Sequence, residues 1–221
     1  MRRHGRTALS ALATAAALVF AGCGGASDST DAADSAGEGA GSTKLSLVAY
    51  AVPKVGFDKV IPLFQKTDAG AGISFSQSYG ASGDQSRKVA SGLTTDVVNF
   101  SVEPDVTKLV EQGLVADDWN AGPNAGVAFG SVVTIVTRKG NPKNIRTWDD
   151  LLKPGIEVVT PNPFSSGSAK WNLLAPYAEK SAGGKNVKAG LAYLDKLISD
   201  HVKVQPKSGR EASETFLQGS G

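Results

Sequence analysis

The sequence predicts an α/β protein with mainly parallel sheets, and three observations carry that expectation. From residue 44 onward, short apolar runs alternate with amphipathic stretches, the pattern of strands linked by crossover helices. Three turns share one design, in which an extended run ends, a small or hydroxyl residue follows and a helix begins, as at Ser78-Tyr79-Gly80-Ala81-Ser82-Gly83. The chain has 221 residues, 41% of them hydrophobic, enough for one ordinary domain or two small ones.

In chain order, strands are expected near 45–50 (LSLVAY), 72–78, 96–100 (DVVNF), 127–137 (VAFGSVVTIVT) and 156–160 (IEVVT). Helices are expected near 54–66, 83–91, 103–112, 166–180, 186–200 and 210–218. A turn at Lys139, Gly140, Asn141 and Pro142 separates the long run at 127–137 from TWDDLL, read as a short helix capped by Thr147. That turn marks the expected boundary between a first lobe, 44–137, and a second, 138–221. The final stretch, ETFLQGSG, closes a helix at Gly219 without the strands a second lobe needs. The second lobe is therefore expected to be incomplete, as in a truncated product.

The N-terminus has the layout of a secretory leader: Arg2, Arg3 and Arg6 precede a small-residue and apolar run from Ala8 to Phe20. The run is too short to span a membrane comfortably. Cys23, the only cysteine, follows Phe20-Ala21-Gly22, which resembles the bacterial lipoprotein signal cut before a cysteine. Residues 1–22 are read as that signal, and a diacylated Cys23 would tether the chain without crossing the bilayer. An ordinary signal peptide with an incidental thiol is the alternative. Residues 23–43 then form a flexible tether, because from 24 onward they contain only small, hydroxyl and acidic side chains with too little surface to bury.

Removing the three leader arginines takes the formal charge from +2 to −1, so no basic excess suits nucleic acid. One cysteine permits no disulfide within the chain, and Cys23, His4 and His201 cannot build a Cys/His zinc site. No metal and no cofactor is expected.

The three turns are the candidate chemistry. Ser82-Gly83, Ser166-Gly167-Ser168 and Gly209-Arg210 each open a helix, where unsatisfied backbone N–H groups and the positive end of the dipole receive anions. A serine there can equally be a plain N-cap. Three such turns in an α/β chain favour a shared ligand, since ligands of open sheets sit beyond the carboxyl ends of the strands.

Catalytic patterns are weaker. GASG lacks the spacing of a nucleophile elbow, and GASGDQS has neither G-K-[ST] nor G-x-G-x-x-G. His201 reads as a surface or helix-end residue without a triad partner. Glu103, Asp105, Asp117, Asp118, Asp149 and Asp150 read as solvated acids at turns and helix starts. Trp119, Trp148 and Trp171 read as packing residues, and Lys170 and Arg87 as solvent-facing.

The stretches QSYGASGDQSRKVASGLTTDVV, VTRKGNPKNIRTWDDLLKPGIEVVTPNPFSSGSAKWNLL and SGREASETF resemble the sulfate-binding proteins of bacterial ABC importers. The resemblance covers residues 44–221 and stops short of the family's C-terminal part. It implies a two-lobed periplasmic-binding-protein fold of type II, with no enzymatic activity. It further implies a monomer anchored outside the cytoplasm that delivers sulfate, or thiosulfate, to an ABC transporter permease. In that family a dehydrated sulfate is held by neutral donors at helix starts. That role carries over to Ser82 and Gly83, to Ser166, Gly167 and Ser168, and to Gly209 beside Arg210. Three departures stand out: Ser168 replaces a usual glycine, Asp84 stands where lysine is common, and Tyr50-Ala51-Val52-Pro53 lacks an aspartate after the first strand. A further tryptophan ligand of the family has no counterpart in this chain.

A donor-only site favours sulfate over phosphate, because a protonated oxygen facing an N–H wastes both donors. Three alternatives remain at this point: a receptor for another oxyanion such as molybdate, a non-functional fragment, and a secreted hydrolase using Ser82 or Ser166 with His201 as base.

Overall fold

The computed structural model describes residues 43–221. The leader, Cys23 and the tether up to residue 42 lie outside the described residues. β1 (Thr43–Tyr50) lies between β2 (Ile73–Gly80) and β3 (Val97–Asn99) in a parallel sheet of order β2-β1-β3. The register pairs Tyr50 with Gly80 and Ala49 with Asn99, so the three strands finish almost level. Parallel strands cannot be joined by a tight turn, and the connections run through α1 (Lys54–Phe64) and α2 (Ser82–Ala90). The chain leaves β1 toward one edge and crosses back past it to the other. Winding reverses at β1, and a crevice opens beyond the strand ends at such a reversal.

Successive β1 side chains face opposite sides of the sheet. Leu47 and Ala49 pack with Ile61 and Tyr79 on the α1 side. Val48 packs with Val89 of α2 and Leu109 of α3 (Glu103–Val110) on the other. Leu47, Val48 and Leu109 are buried, each side chain contributing about 1.5 to 3 kcal/mol. A strand apolar on both faces is thus explained by helices on both faces.

A second, smaller sheet pairs β4 (Val158–Val159) in parallel with β5 (Val202–Val204). Between them run α4 (Gly167–Lys180), α5 (Val187–Lys196) and a π turn at Leu197–His201. α6 (Gly209–Leu217) follows β5. The core here is Leu151, Ile156, Tyr193 and Leu197, with Trp148 and Ile135 against it. Tyr193 donates its hydroxyl hydrogen to the Trp148 carbonyl at 2.6 Å. TWDDLL forms a single 3₁₀ turn, Asp149–Leu152, whose cap position is Trp148 and not Thr147; Thr147 stands one residue earlier, its Oγ1 accepting from the Asp150 N–H at 3.4 Å. No helix among the described residues is long and apolar enough to cross a membrane.

Residues 127–137 require a correction, because they are irregular and not a strand. Their side chains still alternate: Val133 and Ile135 are half-buried, while Val132 is 80% and Val136 69% exposed. A strand needs a hydrogen-bonded neighbour, and none pairs with this run among the described residues. Arg138, just beyond it, donates to the carbonyls of Phe216 at 2.6 Å and Ser220 at 2.8 Å. Its guanidinium lies 3.9 Å from the Phe216 ring centroid, a cation at the negative end of α6. His201 does end the π turn, but it is not at the surface: it is buried, with Nδ1 3.0 Å from the Ile156 carbonyl.

Candidate anion-binding site

The crevice at the β1 reversal is lined by five short pieces of chain. Tyr50, Ala51 and Val52 come from the end of β1, Gly80, Ala81 and Ser82 from the β2–α2 turn, and Ser101 from the loop after β3. Ser166 and Ser168 come from the start of α4, and Ser208 and Gly209 from the start of α6. Three helix N-termini therefore meet in one cleft. None of the lining residues is charged, and the space holds about one water molecule.

Each helix start commits some donors and leaves others open. Ser166 caps α4 by accepting from the Ala169 N–H at 3.4 Å, and Ser208 caps α6 by accepting from the Glu211 N–H at 3.2 Å. Capping satisfies the third N–H of a helix and not the first two. The N–H groups of Gly167, Ser168, Gly209 and Arg210 have no partner among the described residues. The two caps are tied together, since Ser165 Oγ donates to the Lys207 carbonyl at 2.7 Å and the Asn162 N–H to the Pro206 carbonyl at 2.8 Å.

α2 is built differently. Its N-cap is Ala81, which has no side chain for the purpose, and Ser82 is the first helical residue. The Ser82 hydroxyl donates to Asp105 Oδ2 at 2.6 Å and accepts from the Ser101 N–H at 3.0 Å. With that hydrogen committed, Ser82 can offer an anion only its N–H. The Gly83 N–H donates to the Ser165 carbonyl at 2.8 Å.

Of the residues expected at the site, Ser82, Ser166, Ser168 and Gly209 line the cleft, whereas Gly83, Gly167 and Arg210 do not. Gly167 presses against Ser101 so closely that a Cβ would have no room. The Arg210 side chain pairs with Glu214 at 3.0 Å along α6. Ser168 Oγ lies 2.8 Å from Ser166 Oγ, and a Cβ on Gly209 would meet it at 2.6 Å. The added serine thus fills cleft space.

Two further expectations change. Asp105 is not a solvated acid: it is buried under Ser82, its carbonyl accepts from Ser86 Oγ at 2.6 Å, and Lys170 Nζ stands 3.7 Å from its carboxylate. Trp171 is half-exposed, and its Nε1 donates to the Ser101 carbonyl at 2.8 Å. Arg87 is exposed, as expected, and it pairs with Asp84 and donates to the Phe164 carbonyl at 3.2 Å; Asp84 does not line the cleft. No histidine lines the cleft, and the buried His201 ring bonds elsewhere, so neither Ser82 nor Ser166 has the histidine base beside it that the hydrolase alternative requires. Ser101 and Asp105 were missed by sequence reasoning. The only signal for them was position, just past a strand and in a first helical turn.

A β2-β1-β3 sheet whose strand ends face helix N-termini contributed by a second sheet is the architecture of a periplasmic solute-binding fold. A family model described as bacterial extracellular solute-binding protein matches residues 45–220, and the chain belongs to that family. It is 37% identical over 213 residues to a sulfate-binding protein of Synechococcus elongatus, a match that covers 95% of this chain and 59% of that protein. It is 35% identical over 176 residues to a thiosulfate-binding protein of Pseudomonas aeruginosa, covering 77% and 53%. The solved structure of the sulfate-binding protein SubI from Mycobacterium tuberculosis H37Rv superposes with a TM-score of 0.79 at 60% identity, covering 81% of this chain and 62% of that one. The chain thus spans a little over half the length of these relatives.

Proposed function

We propose that the chain is an extracytoplasmic receptor that captures sulfate, or thiosulfate, for an ABC transporter permease, and performs no chemistry on it. The observation that carries this reading is the cleft itself: three helix starts supply open N–H groups, and no charged side chain lines the walls. Desolvating a dianion is very costly without compensation. Hydrogen bonds to a charged group contribute about 1.5 to 3 kcal/mol each, so the N–H groups of the lining residues Ser82, Ser168 and Gly209 approach what micromolar binding, about 8 kcal/mol, requires.

With no carboxylate in the lining to accept a proton, the cleft favours a fully deprotonated oxyanion. Because the space holds about one water molecule, sulfate enters by a small separation of α2 from α4 or by rotation of Ser168. The hinge falls between lobes 44–137 and 138–221, and closure reports occupancy to the permease. Isothermal titration with sulfate, thiosulfate, phosphate and molybdate tests the reading. Micromolar sulfate binding with weaker phosphate binding is expected, and tighter phosphate or molybdate binding overturns it.

Anchoring through a lipid on Cys23, after cleavage behind residue 22, completes the proposal. Radiolabelled palmitate should enter the bacterially expressed chain and be lost in Cys23→Ala.

A further inference from the structure

Ser101 carries a hydroxyl that nothing in the resting site uses. Its Oγ is sealed from solvent and has no hydrogen-bond partner. The other serine hydroxyls of the cleft each have a partner: Ser82 donates to Asp105, Ser166 and Ser168 share one hydrogen bond, and Ser208 accepts from the Glu211 N–H. Asn99 Oδ1 is likewise buried without a partner but does not line the cleft. Native proteins seldom leave a hydroxyl in this state, because it loses water and gains nothing in exchange.

The residue is nevertheless held firmly. Its N–H donates to Ser82 Oγ at 3.0 Å, and its carbonyl accepts from Trp171 Nε1 at 2.8 Å. The backbone is thus gripped by α2 on one side and α4 on the other. The side chain abuts Gly167, the first residue of α4, leaving no room there for a Cβ. A free hydroxyl is presented between two helix starts whose own N–H groups are open.

We propose that Ser101 Oγ is a specificity-determining ligand of the cleft that donates its hydrogen to the bound oxyanion. This rests on the receptor reading above and adds to it the one serine hydroxyl of the cleft that has no partner in the free protein. The arrangement is a stored cost: the hydroxyl is unsatisfied in the free protein and satisfied in the complex. Stability is given up at a functional position, the usual exchange at binding sites.

The two roles of a serine predict opposite signs for one substitution. In Ser101→Ala the unliganded protein should unfold at an equal or higher temperature, while its Kd for sulfate rises at least about tenfold, the loss of one hydrogen bond to a charged group. Calorimetric titration and thermal unfolding of the full chain, wild type beside variant, read both quantities. If wild type binds sulfate and S101A binds it equally well, the assignment of Ser101 fails and the receptor reading stands. If S101A loses affinity and melts lower, the hydroxyl is structural and the assignment also fails. If wild type binds none of sulfate, thiosulfate or molybdate, both fall together.

Discussion

Ser82 and Asp105 are joined by a 2.6 Å hydrogen bond beneath the cleft, serine hydroxyl to carboxylate. Because the same Ser82 oxygen accepts from the Ser101 N–H, this pair sets the height of the α2 start relative to the loop after β3. Asp105→Ala leaves a buried hydroxyl hydrogen without its charged acceptor, a loss of about 1.5 to 3 kcal/mol. Urea unfolding should show a lower midpoint, and sulfate affinity should fall with it. A change within about 0.5 kcal/mol, ordinary for surface positions, would rule out the support role.

Two side-chain contacts join the first-sheet side of the cleft to the α4 side. Trp171 Nε1 bonds the Ser101 carbonyl, and Arg87 bonds the Phe164 carbonyl. Trp171→Phe keeps the ring and removes the donor, weakening closure by about 0.5 to 1.5 kcal/mol. Small-angle X-ray scattering of the ligand-free chain should give a larger radius of gyration for the variant, and sulfate should restore the smaller one. Equal radii without ligand would show that the indole contributes nothing to closure.

Ser168 and Gly209 compete for one volume. A Cβ at residue 209 would stand 2.6 Å from Ser168 Oγ and 3.4 Å from Val52 Cγ2. Gly209→Ala should therefore weaken sulfate binding, Ser168→Gly should strengthen it, and the double variant should recover most of the loss. Coupling of about 1 kcal/mol between neighbours in contact is the expected scale. Titration calorimetry on the four proteins checks it, and strict additivity would refute the shared volume.

Tyr79 and Tyr193 have phenol pKa values pushed up to about 12, in both cases chiefly by burial. The unfolded value is near 10, so the native state favours the neutral phenol. The resulting stability is complete below about pH 10 and is lost as pH rises through about 12. Denaturant midpoints should drop across that window. Tyr193→Phe should be less stable at neutral pH, having lost the bond to Trp148, but should show a shallower alkaline decline.

Much of the first sheet is legible from residues alone, because β1 must be apolar on both faces once helices cover both. Helix starts are legible for a similar local reason: Ser166 and Ser208 announce themselves by their own side chains. The run at 127–137 shows the limit. Its alternation is real, with Val133 and Ile135 more buried than Val132 and Val136, but pairing depends on a neighbour that the run does not encode. β5, three residues long, offers too little periodicity to be seen. Asp84 and Asp105 both sit in first helical turns and look alike in sequence. Only the tertiary structure sends Asp84 to Arg87 and Asp105 beneath Ser82.

The Ser165 carbonyl sits on the Gly83 amide, and Gly83 lies outside the cleft lining. That amide is therefore a rivet between α2 and the turn before α4. A substitution that disturbs either end should be felt at both helix starts at once.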